Sequence, residues 1–200
     1  MTKLGKIVKS NSHTDYVCQI FGMNEAEYVP SNRDYAFGTF VRIDLDDDED
    51  HYLVGLVYDT VLLNPDFGRL GPRLSSESDL KIFSPDYLNE RAVLTGIVVI
   101  GQYLDGIVVQ GIPPLAATNE ASVYQLDTQS IGQFHFVDSK FQLTYMPNLI
   151  AQTGLIARNL ALQVLRQLGQ ILPDTYQPML AVISDDLKWQ LHISSMRGQV

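Results

Sequence analysis

The sequence predicts an α+β protein, mainly β, in which a small closed β-barrel near the N-terminus is followed by a second β segment, a long C-terminal helix and a terminal β-hairpin. Two observations predict this class. Short runs rich in branched and aromatic residues alternate with turn-forming segments over the first half of the chain. Apolar residues then recur at helical spacing between Leu149 and Leu172. The 200 residues, 46% of them hydrophobic, are enough to bury a core.

The predicted barrel occupies residues 1–64 and is completed by part of 91–112. Its strands are rich in branched and aromatic residues, and Asn, Asp, Ser and Gly fill the connections between them. The strand-like runs are Lys3–Lys9, Tyr16–Phe21, Phe40–Leu45 and Tyr52–Leu63. The last two flank an acidic run, 44–50, which predicts a hairpin with a charged tip.

Residues 65–146 are interpreted as a connecting loop and a β-rich extension. The segment 64–84 suits either a linker or a binding loop, and the sequence leaves this open. Arg91–Ile100 is the strongest buried-strand signal, and a turn at 104–106 leads into a returning strand, Ile107–Gln110. Glycines at 96, 101, 106 and 111 alternate between the two strand faces. They therefore favour kinks in a coiled hairpin over a ligand stripe.

Residues 147–200 are predicted to form the long helix and the terminal hairpin. Pro173 ends the helix, and the hairpin strands are Met179–Ile183 and Lys188–Ile193 around a turn at 184–186. The helix serves either as a core helix covering the sheet or as a contact helix for a partner, and its spacing does not separate the two. The candidate interaction surface on it consists of Arg158, Gln163, Arg166, Gln167 and Gln170.

The composition excludes several classes of protein. Fourteen basic against 23 acidic side chains give a net charge of −9, and no basic cluster occurs, which disfavours nucleic-acid binding. Cys18 is the only cysteine, so no intrachain disulfide forms, and a reducing cytoplasm is expected. No apolar run approaches the roughly 18 residues of a membrane span.

Candidate catalytic and metal-binding residues do not form a recognised pattern. An EF-hand counted from Asp44 would need glycine and glutamate where the chain has Glu49 and Gly55, so the acidic run is interpreted as a solvated hairpin tip. Whether this run binds a cation stays open. Cys18 lies within a strand and is expected to be a buried, inert thiol. The histidines lack zinc spacing: His13, His51, His135 and His192. We therefore expect no catalytic, metal or cofactor site and no enzymatic activity.

Several short motifs resemble the HAS-barrel family, the small barrel of HerA-type ATPases and of ATP synthase subunits. The matching segments are Gly5–Val8, Asp15–Val17, Gly38–Ile43, Val54–Val57 and the Gly96–Gly111 hairpin followed by Pro113-Pro114. The resemblance implies a barrel that packs beside copies of itself on a ring-shaped ATPase, or that docks other factors onto one. The chain departs from HerA in having no phosphate-binding loop. Its one Gly-Lys pair is followed by isoleucine rather than by a hydroxyl residue. We expect no ATP hydrolysis by this chain alone.

The sequence supports three hypotheses for the function of this protein. The leading hypothesis is a non-catalytic interaction or assembly module that docks on or regulates a HerA-like or ATP-synthase-like ring ATPase, or that self-associates. The first alternative is an OB-like accessory factor for single-stranded nucleic acid, which would use barrel aromatics with the few nearby cations: Lys6, Lys9, Arg33 and Arg42. The second alternative is a small metal-dependent hydrolase.

Overall fold

The computed structural model describes residues 1–22, 25–46, 50–64, 92–137, 140–152 and 156–197. The strands are β1 (Lys3–Ser10), β2 (Asp15–Ile20), β3 (Phe40–Asp44), β4 (His51–Leu63), β5 (Ala92–Leu104), β6 (Ile107–Gln110), β7 (Ser122–Gln125), β8 (Phe136–Val137) and β9 (Lys140–Phe141). The helices are α1 (Thr128–His135), α2 (Met146–Gln152), α3 (Ala157–Ile171) and α4 (Gln177–Arg197), with a short 3-10 turn at Asp174–Tyr176.

Six strands close into a barrel in the order β1-β7-β3-β4-β5-β2, and the pairing of β2 with β5 completes the ring. Every pairing is antiparallel. The long strand β5 pairs with β4 on one side, and on its other side first with β2 over 93–98 and then with β6 over 101–104. β6 is therefore an extra strand beyond the ring, and none of the described strands pairs with its edge that faces away from β5.

The strands bury two apolar clusters, one on each side of the barrel wall. The inner cluster fills the barrel with inward-facing residues, among them Leu4, Ile7, Tyr16, Cys18, Val41, Ile43, Leu53, Val57, Ile97, Val99 and Val123. The outer cluster lies between the outward faces of β3–β5 and the helices, and includes Phe40, Val54, Leu56, Val98, Phe134, Tyr145, Leu149, Leu160, Val164 and Leu168. Alternation along each strand puts successive residues on opposite sides of the wall, so the same strands serve both clusters.

The predicted fold class is confirmed: the chain is α+β, with a closed N-terminal barrel, a second β segment and C-terminal helices. The hairpin of β3 and β4 with an acidic tip and the hairpin of β5 and β6 are present as expected. The latter turns at Asp105 and Gly106, whose φ angles of 49° and 82° are those of a tight two-residue turn. Within the predicted helical run over 147–172, the described residues form α2 and α3, and residues 153–155 lie outside the described residues.

The predicted terminal hairpin is wrong, because 177–197 form the single helix α4. Its buried residues Leu180 and Leu187 share one helical face, and the residues taken for a turn lie inside the helix. There Asp185 pairs with Lys188, and Asp186 accepts a hydrogen bond from Gln190, at the i, i+3 and i, i+4 spacings of a helix. His192, expected in a strand, is likewise helical.

The loop interpretation of 64–84 lies outside the described residues, apart from Asn64. Within the described part of the chain, no helix combines the length and the apolarity needed to cross a membrane.

Candidate functional site

A groove of about 760 Å³ lies between the extra strand β6 and helix α1. Every described residue that lines it is uncharged. Partly buried apolar side chains form its floor, among them Tyr103, Val108, Phe136 and Ile171. The exposed amides of Gln129 and Gln133 form its rim. An apolar concavity with a few polar groups at its margin is the usual form of a binding site.

The backbone of β6, a strand that lines this groove, has an open side away from β5. In the two-residue hairpin, Leu104 pairs with Ile107 and Gln102 with Val109, and Gly111 N–H continues the ladder to the carbonyl of Ile100 at 2.8 Å. Because hydrogen-bonded and non-hydrogen-bonded pairs alternate in an antiparallel ladder, the backbone groups of Val108 face away from β5. Among the described residues, no strand pairs with this edge.

Gln110 fixes the far end of β6 against the helical layer. Its amide nitrogen donates to the carbonyls of Phe134 at 2.9 Å and Gln142 at 3.1 Å. Its amide oxygen accepts from the backbone N–H of Thr144 at 2.8 Å and from the hydroxyl of the same residue at 3.1 Å. Four hydrogen bonds from one side chain hold the two walls of the groove at a set separation.

His51 holds the other end of β6. Its Nδ1 lies 2.9 Å from a carboxylate oxygen of Asp46, and its Nε2 lies 3.0 Å from a carboxylate oxygen of Asp105 in the β5–β6 turn. Both ring nitrogens therefore face acceptors, which only an imidazolium can satisfy with two donors. The two hydrogen bonds raise the pKa of His51 to about 9. We call this group of three residues the His51 clasp.

Carboxylates gather near the Tyr103 end of the groove. Tyr103 stacks on Tyr52 with ring centroids 5.0 Å apart. Burial, then Tyr103 itself, and then the charges of Asp50 and Asp127 raise the pKa of the Tyr52 hydroxyl to about 12, against the opposing effect of Arg42. Asp127 caps α1 by accepting from the backbone N–H of Ser130 at 2.8 Å, which lowers the pKa of its carboxyl. This end of the groove is acidic.

A belt of cations and aromatic rings crosses the outer wall of the barrel. The Arg42 guanidinium lies 4.8 Å from the Tyr52 ring centroid and 5.4 Å from that of Tyr124, and the Lys3 ammonium lies 5.6 Å from Tyr124 and 5.7 Å from Phe21. Arg42 also pairs with Asp44 at 2.6 Å. Its guanidinium is thus already engaged, and in the same part of the molecule Lys6 pairs with Glu120 at 3.0 Å.

Two other titratable groups are sealed in the cores. Cys18 is fully buried in the barrel, and burial raises the pKa of its thiol to about 12, as expected for an inert cysteine. His135 is fully buried in the outer cluster. Its Nδ1 donates to the Ile131 carbonyl at 2.7 Å, so its Nε2 accepts from the Tyr145 hydroxyl at 2.9 Å. Burial lowers the pKa of His135 to about 4.

The predicted interaction surface on α3 stays a prediction, and part of it contacts the barrel. Gln167 donates to the Gly38 carbonyl at 2.9 Å, and the Gln163 side chain packs against the same glycine. Arg166 donates to Gln163 at 2.9 Å, and Arg158 donates to Gln190 of α4 at 3.3 Å. Gln170 is exposed.

The candidate cation site also stays open, because residues 47–49 lie outside the described residues. Of the described part of the acidic run, Asp44 pairs with Arg42 and Asp46 with His51. The histidines, cysteine and carboxylates of the described residues include no group of three that could hold a metal ion.

We did not identify β6 and α1 as the walls of a site from the sequence. The sequence does contain a signal at β6. Residues 106–119 contain no charged side chain although the protein carries a net charge of −9. Within this stretch four large apolar residues are exposed in the fold: Ile107, Val109, Ile112 and Leu115.

Comparison with curated proteins found no match. A family model does match the chain, over residues 1–198. Its description is "Domain of unknown function (DUF8166)". The match covers the barrel, the groove and the helical layer together. The chain therefore belongs to the DUF8166 family.

Proposed function

We propose that this protein is a non-catalytic assembly module that docks on a partner protein through the groove between β6 and α1. The observation that carries the proposal is the groove, uncharged in its described residues, beside a strand edge with no described partner, on a chain with a net charge of −9. Exposed apolar surface beside an open strand edge is a feature that proteins normally cover or blunt. Here it is framed by Gln110 and the His51 clasp.

The state of the titratable groups supports a non-catalytic role. Cys18 is sealed inside the barrel, and His135 is held neutral by burial and by two hydrogen bonds. His51 is held between two carboxylates. None of these three residues lines the groove.

A ring-shaped ATPase of the HerA or ATP synthase type is the partner we propose, in the cytoplasm. This step rests on the HAS-barrel resemblance of the barrel motifs. The absence of a phosphate-binding loop from the chain agrees with a role beside a motor rather than as one.

The experiment is a capture of interacting proteins on the tagged chain from extracts of its own cells, with three baits. The baits are the wild type, Ile107→Asp at the groove and Val182→Asp on α4. Both residues are highly exposed, at 65% and 71%, so the two variants are matched in kind and in exposure. We expect wild type and Val182→Asp to retain a ring ATPase, identified by mass spectrometry and by ATP hydrolysis, and Ile107→Asp to lose it. Equal retention by all three baits, no ATPase on any bait, or ATP hydrolysis by the purified chain alone would overturn the proposal.

The cation–aromatic belt favours one second candidate, the OB-like binding of single-stranded nucleic acid near Lys3 and Phe21. Alternating cations and rings are the usual platform for stacked bases. Binding of a labelled oligo(dT) that weakens steeply as salt rises would support it, and Lys3→Ala should then reduce the affinity. The pairing of Arg42 and Lys6 with carboxylates makes this the weaker candidate.

A further inference from the structure

We propose that the groove binds an extended segment of a partner protein as an added β-strand along β6, with a lysine or arginine of that segment at the Asp105 end. This inference rests on the proposed docking function and names the chemistry of the partner. Strand addition gives affinity through main-chain hydrogen bonds and specificity through alternate side chains.

The backbone of β6 supplies the hydrogen-bonding groups for strand addition. The pairing register directs the N–H and C=O of Val108 away from β5, and Val108 is one of the residues that line the groove. The β5–β6 turn and the bonds of Gln110 fix both ends of this short strand. An incoming segment would thus meet an edge that is already extended and held in place, which lowers the ordering cost of binding.

The lining supplies pockets for alternate side chains. Val108, Tyr103 and Phe136 are partly buried apolar residues on the groove side. In a strand, every second side chain points to the same face. A segment with an apolar residue at every second position would place these on the floor, and its other side chains would face the amides of Gln129 and Gln133 at the rim.

The charges around the groove select the partner. The described residues of the lining are neutral, and two acidic residues directly precede lining residues along the chain, Asp105 before Gly106 and Asp127 before Thr128. His51 offsets one carboxylate charge of its clasp, the Arg42 guanidinium near Tyr52 is offset by Asp44, and Asp50 adds a further negative charge there. The balance at this end is negative, so it attracts a basic side chain and repels an acidic one.

The position of the edge favours a single segment over a second copy of this chain. The groove lies between β6 and α1, and Ile107 and Val108 line it together with Gln129 and Gln133. In a second copy, β6 likewise has its own α1 across the groove. Direct pairing of two β6 edges would press the two α1 helices together, whereas one extended segment needs only the width of a strand.

The experiment selects peptides from a displayed library of random ten-residue sequences on the wild-type protein, and then compares their affinities for two variants by fluorescence polarisation. Val108→Pro removes the N–H that faces away from β5 without removing a hydrogen bond to β5. Val108→Thr keeps the N–H and the branched shape and is the matched control. We expect selected peptides that alternate apolar residues and carry a terminal lysine or arginine. Their affinity should fall at least tenfold for Val108→Pro and change less than threefold for Val108→Thr. Circular dichroism of both variants checks the fold.

Three outcomes would overturn strand addition: no enriched peptide, enriched peptides without this pattern, or equal binding to wild type and Val108→Pro. A concentration-dependent dimer that Val108→Pro abolishes would assign the edge to a second copy and would also overturn it. The capture experiment separates this inference from the docking function. If Ile107→Asp loses the ATPase while Val108→Pro keeps it, docking stands and strand addition fails.

Discussion

The barrel interior and the helical layer outside it share one wall of strands but differ in their residue types and in how they are enclosed. The interior is mainly aliphatic, with Tyr16 and Cys18 among its buried residues, and is enclosed by a ring of strands whose backbone groups pair with one another. The outer layer is rich in aromatic residues, contains the buried pair His135–Tyr145 and consists of separate helices laid on β3–β5. Where the ring is closed, its strands have no edge to offer a partner. Among the described strands, β6 leaves the ring, has no partner on its side away from β5, and lines the groove.

The largest effect on stability is expected from truncating one buried leucine in each apolar cluster, which tests whether the inner and outer clusters unfold cooperatively. Leu53 in the barrel and Leu160 in the outer layer are both fully buried, so Leu53→Ala and Leu160→Ala are matched truncations. Each should lower the free energy of unfolding by about 2–5 kcal/mol, because each leaves a cavity. Urea denaturation measures this by far-UV circular dichroism and by fluorescence of Trp189, the one tryptophan of the chain, which lies on α4.

Coincident transitions are expected in both variants, since residues on opposite faces of the same strands serve both clusters. If the Trp189 transition of Leu160→Ala moves to lower urea while the circular dichroism transition does not follow, the helical layer is a separate cooperative unit. The barrel and the helical layer would then be two domains rather than the two sides of one cooperative unit.

The buried polar pair of the outer layer gives the next effect. Tyr145→Phe removes the hydroxyl that donates to Nε2 of His135 and leaves a buried acceptor without a partner. The free energy of unfolding should fall by about 1–3 kcal/mol. The double variant H135F/Y145F removes both partners and should recover much of the loss. A double variant no more stable than Tyr145→Phe would show that packing rather than hydrogen bonding sets the cost.

The same pair makes the outer layer sensitive to acid. The folded-state pKa of His135 is lowered to about 4, against an ordinary value of 6.5. Between these values the unfolded chain binds a proton that the folded chain does not, so stability falls as the pH drops from 6.5 toward 4, by at most about 1.4 kcal/mol per pH unit. The difference between wild type and H135F/Y145F across this window isolates the contribution from those of the carboxylates.

The His51 clasp has the opposite dependence on pH and a smaller effect, because water reaches it. Its folded-state pKa is raised to about 9, so its stabilisation is complete below pH 6.5 and is lost as the pH rises through 9. His51→Gln should remove this alkaline dependence. Titration of the imidazole proton resonances of the wild type measures the pKa directly, and a midpoint near 6.5 would show that the clasp does not form in solution.

The barrel was largely predictable because its signals are local. Strands β1–β5 carry branched and aromatic residues at alternating positions, and the Asp105-Gly106 turn has the residues that a two-residue hairpin requires. The closing strand β7 is only four residues long, and its place between β1 and β3 depends on contacts distant in sequence. Local patterns cannot specify such a placement.

The helical layer was less predictable because its helices lack a clean apolar stripe. In α4, Val182 and Trp189 are exposed at 71% and 62%, while Leu180 and Leu187 are buried, so apolar residues surround the helix. This pattern led to the wrong prediction of a hairpin, because a helix with apolar residues on all of its faces shows no helical periodicity in its sequence. The short helix α1 contains glycine and hydroxyl residues of modest helix propensity, and its clearest signal is the Asp127 cap.

The groove itself could not have been predicted from spacing. Its walls come from β6, α1, β8 and the end of α3, which meet only through the packing of the outer cluster. Before the fold was known, the available sign was the uncharged stretch 106–119 in an acidic chain. That sign indicates a surface without indicating what stands opposite it.

The smallest effect on stability is expected at a buried polar group in the barrel interior that has no hydrogen-bond partner. Gln102 is 5% exposed, and its amide oxygen is the single buried side-chain oxygen or nitrogen among the described residues without a hydrogen-bond partner. Gln102→Met keeps the unbranched shape and removes the unpaired group, so the free energy of unfolding should rise by about 1 kcal/mol or stay unchanged. Urea denaturation decides this, with Gln102→Glu as the control that should destabilise by burying a charge. A clear loss of stability in Gln102→Met would mean that a bound water completes the site, and the barrel interior would then be less dry than the contrast with the outer layer implies.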